Sequence, residues 1–341
     1  MNMTARVLIV GGGLSGISVA TALRNHGVDF LVLDKPLPGS ASHVAAGIIN
    51  PIVFKRLALS WGWEEFFPFA FDFYRKWEQC TSAQFFSLVR IRRQMPDFTE
   101  IQQWENRRAQ SDLHFKFLSE LKSVEPEFII RPRSDYEAFV EGGALLDVRK
   151  FIDVVKTVFT ENKNWENSLF EYSKIDQHAD GRWCYEGRFF SSVVFCEGYR
   201  VAQNPFFPDH EIIPCKGEIL HYDNPGLPHD EIQYRKLNLV PLGSLMIAGS
   251  NYHNRDAEEG PHRGGAEELS GRVKESFHTP PVLREIKWGI RPTTIDRRPR
   301  IRRHSSLKGL WMFNGMGSKA ALSAPFLADE FVRDSLLPAY Q

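Results

Sequence analysis

Three glycines and one acidic residue carry the first recognisable chemistry. In Arg6-Val-Leu-Ile-Val-Gly-Gly-Gly-Leu-Ser-Gly-Ile-Ser-Val-Ala-Thr-Ala-Leu-Arg24 a short apolar strand runs into Gly11-x-Gly13-x-x-Gly16, which opens a helix. A second apolar run, Leu31-Val32-Leu33, ends in Asp34. Strand, glycine turn, helix, strand and acidic end together make a complete dinucleotide-binding βαβ unit. Gly11 permits the tight turn, Gly13 lets backbone approach a pyrophosphate, and Gly16 lets helix pack on strand. The free N–H groups and positive end of the helix suit phosphates. Asp34 can accept hydrogen bonds from both hydroxyls of an adenosine ribose.

Two later segments return to the same nucleotide. Ser192-Val-Val-Phe-Cys-Glu-Gly198 is an apolar strand ending in small-x-Gly, which lets backbone approach a bound cofactor closely, as a further strand of a nucleotide sheet would. Near the C-terminus, Trp288-Gly-Ile-Arg-Pro-Thr-Thr-Ile-Asp-Arg-Arg-Pro299 precedes Gly309-Leu-Trp-Met-Phe-Asn-Gly-Met-Gly-Ser-Lys-Ala-Ala-Leu-Ser-Ala-Pro325. There a strand over 310–314 feeds Gly315 and Gly317 and then a second helix N-terminus suited to an anion. A dinucleotide held by one end of the chain and revisited by the other points to FAD, and no second Gly-x-Gly-x-x-Gly marks a nicotinamide site.

The elements that must position these groups are interleaved. Phe66-Phe-Pro-Phe-Ala-Phe-Asp-Phe-Tyr74 through Trp77 reads as a helix start with Pro68 in its first turn. Its rings suit either a buried helix at a domain junction or the wall of a cavity. Strands are expected over 84–93 and 128–140, around a charged segment, 98–122, with helical spacing. A turn at Gly142-Gly143 leads to an N-cap at Asp147 and a helix to about 159. Strands near 169–175, 182–186 and 192–196 follow, with a hairpin turn at Asp180-Gly181. Residues 212–222 and 232–250 alternate as antiparallel strands do. Residues 254–271 are polar and end in a helix to about 277.

Composition excludes several classes. The net charge is zero, so no global field draws the chain to nucleic acid or an anionic membrane. No apolar run approaches a membrane span, and the glycine-rich start lacks the cleavage site of a secretory leader. Cys80, Cys184, Cys196 and Cys215 show neither metal-ligand nor disulfide spacing, so no metal is expected and the cytoplasm is the expected compartment.

On these residues the chain resembles the FAD-dependent amine oxidases of the D-amino-acid, glycine and sarcosine oxidase family. The marks are the glycine motif, Asp34, Ser40 to Gly47, Cys196-Glu-Gly198, Gly289-Ile-Arg-Pro292 with Asp296 and Pro299, and Gly315 to Pro325. Gly47-Ile-Ile-Asn-Pro51, Phe66 to Phe71, Gly249-Ser-Asn-Tyr-His253 and Gly317 to Pro325 further resemble the FAD domain of a bifunctional tRNA wobble-uridine modifying enzyme. That enzyme carries a methyltransferase domain ahead of its oxidase, which is expected to be absent here.

The resemblance implies an α/β (overall α+β) architecture, with a Rossmann-like FAD-binding domain interleaved with an antiparallel-sheet substrate domain. The implied partition is 1–80, 145–212 and 288–341 for FAD, and 81–144 and 213–287 for substrate. It implies cofactor contacts at Gly11, Gly13, Leu14, Ser15, Gly16, Asp34, Lys35, Ser42, Ala46 and Gly47. Further contacts are implied at Ile175, Cys196, Gly198, Arg291, Gly315, Gly317, Ser318 and Lys319. Sarcosine oxidases attach flavin to a cysteine where this chain has Gly289, so FAD is expected to be non-covalent.

The implied reaction oxidises an amine with an α C–H to an imine, with the cofactor taking the electrons. Arg291 is the implied partner of a substrate carboxylate, the alternative being a brace within the sheet. Tyr252 and His253 either face the substrate or are ordinary strand residues. Lys319 would place a positive charge near the flavin pyrimidine edge, or is simply solvated. Five arginines within Arg297–His304 suggest a solvated hairpin face or phosphate contacts. Three readings follow: oxidation of a small amino acid or N-alkyl glycine, trimming of carboxymethylaminomethyl-uridine in tRNA, or flavin binding without catalysis.

Overall fold

A computed structural model describes residues 7–110, 116–125 and 129–340. Arg6, residue 128 of the expected strand, and residues 111–115 of the charged segment lie outside the described residues. Five parallel strands and one antiparallel edge strand make a six-stranded sheet. Its order is Arg300–Arg303, Leu310–Asn314, Ser192–Phe195, Val7–Val10, Phe30–Leu33 and Trp165–Glu166. Both faces are covered, which is why its strands read as unbroken apolar runs. Val7, Ile9, Phe30, Val32, Val194 and Phe313 pack on one side with the helices Leu14–Asn25, Val148–Glu161 and Ala320–Phe331. Leu8, Val10, Leu31, Leu33, Val193, Phe195, Leu310 and Met312 pack on the other.

The aromatic helix runs from Trp63 to Thr81. Pro68 is therefore its sixth residue, past the first turn where the sequence put it. Trp63, Phe66, Phe73, Tyr74 and Trp77 are buried in the core shared with the parallel sheet. Tyr74 Oη donates to the Ala321 carbonyl (2.8 Å), and Phe66 packs on Phe326, which docks this helix on Ala320–Phe331.

A second, ten-stranded sheet is mixed. Its backbone is the antiparallel run of Leu283–Thr293, Ile213–Asp223, Leu245–Gly249, Asn238–Leu242 and Glu231–Tyr234. Phe86–Gln94 then pairs in parallel with Glu231–Tyr234 and antiparallel with Tyr136–Leu146. Helix Gly265–Ser276 covers one face, burying Leu220, Tyr222, Leu239 and Met246 with its Leu269 and Val273. The mixture of parallel and antiparallel sheets is the architecture expected.

Several local expectations are corrected. The strand placed at 128–140 lies at Tyr136–Leu146, and Gly142-Gly143 sit inside it. A register shift opposite Val89/Ile91 and a left-handed Gly142 (φ +73°) mark a bulge, which mimics a turn in sequence. The strand near 169–175 is a short 3₁₀ turn, Tyr172–Lys174, followed by the strand Ile175–Gln177. Residues 232–250 divide into three strands. Asp147 does cap its helix, accepting from Lys150 N–H at 3.0 Å.

No helix among the described residues is long and apolar enough to cross a membrane. We propose the division of the chain at 80, 144, 212 and 287. Two strands bear on it: Ile48–Ile49 pairs with Tyr136–Leu146, and Leu283–Thr293 spans the last boundary.

Candidate active site

The glycine turn is built by close approach. Gly11 has φ +101°, and a Cβ there would lie 2.6 Å from the Cys196 carbonyl oxygen. A Cβ on Gly16 would lie 1.9 Å from the Gly11 oxygen, so no other residue lets the helix start where it does. The helix opens at Gly13, which has no side chain to cap it, a start suited to an anion at the N–H groups that follow Leu14. Two N–H groups of the turn are already held: Gly12 N–H donates to Asp34 Oδ1 (2.8 Å) and Leu14 N–H to Ser42 Oγ (3.1 Å). Leu14 is buried and Ser15 half-buried at the first helical positions. Burial pushes the Asp34 carboxyl up, opposed by the Gly12 N–H and by His43. Lys35 is exposed one residue further on.

Cys196 is buried at the end of its strand, and its N–H donates to the Val10 carbonyl (2.8 Å). Burial and the neighbouring Glu197 push its thiol up. Gly198 begins a short 3₁₀ turn, and its carbonyl accepts from Asn314 Nδ2 (2.8 Å). Ile175 lies in a separate three-stranded sheet and packs with Val10, Leu33 and Phe195 beneath the nucleotide strands. Glu197 was missed in the sequence. Burial raises it to about 7, although Tyr172 Oη and Asn204 Nδ2 both donate to it. The signal was there: a single acid at the open middle position of the small-x-Gly pattern, between Cys196 and Gly198.

Four segments converge on the other side of the turn. The short helix Ala41–Val44 packs on the strand Leu283–Thr293, where a Cβ on Gly289 would sit 3.3 Å from Val44 Cβ. Ile290 N–H donates to the Gly39 carbonyl (2.9 Å). Gly317 N–H donates to the Pro292 carbonyl (2.9 Å), which ties the 315–319 turn to the same strand. Gly47 accepts Leu146 N–H (3.0 Å), and the adjacent Ala46 packs with the apolar side of the large sheet. Ser318 is exposed. Lys319 is half-buried, and its Nζ donates to Ser60 Oγ (3.1 Å), which in turn donates to the Asn50 carbonyl (2.7 Å). Burial pulls its ammonium down to about 8.

Arg291 stands opposite Cys215 in the sheet. Its Nη1 donates weakly to the carbonyls of Cys215, Lys216 and Asn251 (3.4–3.5 Å) and its Nη2 to Ser250 Oγ (2.5 Å). The guanidinium lies 4.5 Å from the centre of the Tyr252 ring, which is 60% exposed. Gly217 makes this possible, since a Cβ there would fall 2.5 Å from both terminal nitrogens. His253 faces a different partner: its Nε2 lies 3.3 Å from Oε2 of the fully buried Glu218, and its ring stacks on His262 (3.8 Å). The structure thus brings together Arg291 and Tyr252, with Ser250 and Gly217, which sequence reasoning missed. It sets His253 instead between the buried Glu218 and the exposed His262.

The arginine run is largely occupied within the chain. Arg300 pairs with Glu211 and Asp296, Arg302 with Asp209 and Glu211, and Arg298 lies on the Trp61 ring. A helix start with glycine at its N-cap, glycines with no room for side chains and a carboxylate at the second strand's end fit a bound FAD.

Comparison with known proteins agrees. The profile of the family DAO, FAD dependent oxidoreductase, matches residues 6–333. Iminodiacetate oxidase from Chelativorans sp. BNC1 superposes with a TM-score of 0.76 at 20% identity, covering 96% of this chain and 95% of that one. Glycine oxidase from Bacillus cereus gives 0.78 at 16% identity, covering 99% and 96%. At such identities the likeness is one of fold. A bifunctional protein ThiO/ThiG from Trichormus variabilis is 39% identical over 49 residues, which is 14% of this chain and only 8% of that protein's length. By its full-length profile match and its fold, the chain belongs to the DAO family of FAD-dependent oxidoreductases.

Proposed function

We propose that the protein oxidises the C–N bond of an amino acid or N-substituted glycine-type amine. The observation that carries this reading is Arg291. Its strand is bonded both to the Gly39 loop and to the turn bearing Lys319, so a fixed cation lies on a strand that joins two cofactor-side segments. A guanidinium offers a planar fork for a carboxylate. Its present partners are mostly long-range carbonyl contacts, and a substrate carboxylate would compete with them.

Bound FAD supplies the two-electron acceptor for loss of hydride from the carbon beside the amine. Arg291 holds the carboxylate end and so fixes which carbon is presented. Tyr252 braces the guanidinium from its exposed side through cation–π attraction. Lys319 holds a proton at Nζ below about pH 8 and places positive charge against the Asn50–Ser60 segment. The resulting imine is hydrolysed by water. The absence of a cysteine at Gly289 supports non-covalent FAD, and four free thiols fit a reducing compartment.

Anaerobic bleaching of the flavin spectrum tests this reading. Glycine, sarcosine and D-amino acids form the panel, with the corresponding 2-hydroxy acids as controls. Bleaching by an amine and not by hydroxy acids is expected. Bleaching by hydroxy acids alone would replace the C–N assignment.

A further inference from the structure

Midway across the large sheet, where the strands Phe86–Gln94 and Glu231–Tyr234 end, a cavity of about 50 Å³ has four cations in its wall. Strands Phe86–Gln94 and Glu231–Tyr234 run in parallel with Arg93 opposite Tyr234, so both side chains leave the same face. The chain then turns through Arg235 and Lys236, the latter in a left-handed conformation (φ +63°). Arg133 is brought in from another segment. Its N–H donates to Gln94 Oε1 (3.0 Å) and its Nη1 to the Arg235 carbonyl (3.2 Å).

Arg93, Arg133, Arg235 and Lys236 line the cavity together with one carboxylate, Glu100. Arg93 and Arg235 are 9% and 3% exposed and form its buried part, while Arg133 and Lys236 are exposed at its rim. The Arg93 guanidinium is held in place by two rings, 4.9 Å from Phe54 and 5.4 Å from Tyr234, which themselves stack at 4.3 Å. Its Nη2 occupies Glu100 (2.6 Å), and its Nη1 is buried with no hydrogen-bond partner. A desolvated guanidinium with an unused N–H is costly until an anion meets it. Fixed forks plus an ammonium suit the several oxygens and double charge of a phosphate better than a single carboxylate.

We propose that this cavity is a binding site for a phosphate group, free or as a monoester. It is separate from Arg291. Along the sheet, the strands Ile213–Asp223, Leu245–Gly249 and Asn238–Leu242 lie between Leu283–Thr293 and Glu231–Tyr234. That is roughly 19 Å at ~4.8 Å per strand, beyond the reach of a glycine-sized substrate. The assignment stands on charge and burial and does not depend on the reaction proposed above.

Calorimetric titration of the FAD-loaded protein with inorganic phosphate tests it, with acetate as the carboxylate arm and phenyl phosphate as the monoester arm. Saturable phosphate binding is expected, weakened about tenfold or more in Arg133→Ala and in Lys236→Ala, whose exposed positions leave the fold intact. Arg93→Met should abolish it, and Arg291→Ala should leave it unchanged. Phenyl phosphate binding more tightly than phosphate would assign an ester; equal binding would assign the free ion. No saturable binding at millimolar phosphate would overturn the proposal. So would acetate binding as tightly as phosphate, or binding lost in Arg291→Ala and kept in both rim variants.

Discussion

The nucleotide end and the Arg291 end of the proposed site are built by opposite means. At the first, backbone does the work: Gly11 and Gly16 are defined by the absence of side chains, and the nearest heavy atoms leave no room for one. At the second, side chains do the work, and each comes from a different place. Arg291 lies on one strand, Ser250 and Tyr252 beyond another, and Lys319 at a helix start. A backbone cradle tolerates almost no change in sequence, whereas a side-chain constellation can be retuned residue by residue. One fold can therefore keep its cofactor and change its substrate.

The sharpest way to break this comparison is at Gly16. Gly16→Val places atoms inside the Gly11 carbonyl's volume, so purified protein should lose its FAD outright, read from the absorbance ratio of flavin to protein. Retained flavin would mean the turn is less constrained than its geometry implies.

At the other end, Arg291→Ala should keep FAD and lower kcat/KM for a carboxylate-bearing amine by about 100-fold, the size of a lost charge-assisted pair. Gly217→Ala should act in the same direction, by about tenfold and mainly in KM. It crowds the guanidinium without removing it. A Gly217→Ala effect without an Arg291→Ala effect would separate the strand from the arginine.

Lys319 offers a smaller change in a defined window. Its ammonium is drawn down to about 8 by burial, so activity that needs the charge should fall as pH rises through about 8. That limb of the kcat/KM profile should vanish in Lys319→Met. Glu197 gives the smallest effect, and one on stability alone. Its folded-state value is raised to about 7, so its contribution is full below the ordinary carboxyl value of 4.5 and is lost as pH rises through about 7. The melting temperature should fall by a few degrees across that window, and Glu197→Gln should flatten the slope.

The same contrast explains what could be read from the sequence. The βαβ unit is contiguous, and its glycines, apolar strands and Asp34 stand in chain order, so the strand boundaries and the turn follow from local rules. The Asp147 cap was legible for the same reason. Gly142-Gly143 misled because a bulge and a turn use the same residue. The two-residue edge strand Trp165–Glu166 is too short to carry a period and went unseen. Arg291 stood out only through the family resemblance. Gly217, Ser250 and the Ser60–Lys319 contact depend on the meeting of distant segments, which no local pattern encodes. The Arg93 cluster is scattered over three segments, brought together by the parallel pairing of Phe86–Gln94 with Glu231–Tyr234 and by the bonds of Arg133 to Gln94 and Arg235.

The central claim is that a carboxylate held by Arg291 selects the substrate. Anaerobic flavin reduction by sarcosine and by dimethylamine, which lacks only the carboxylate, tests it in wild type and in Arg291→Ala. The account predicts rapid bleaching by sarcosine in wild type alone, with dimethylamine slow in both proteins. Equal rates for the two amines, or a sarcosine rate unchanged in Arg291→Ala, would contradict it.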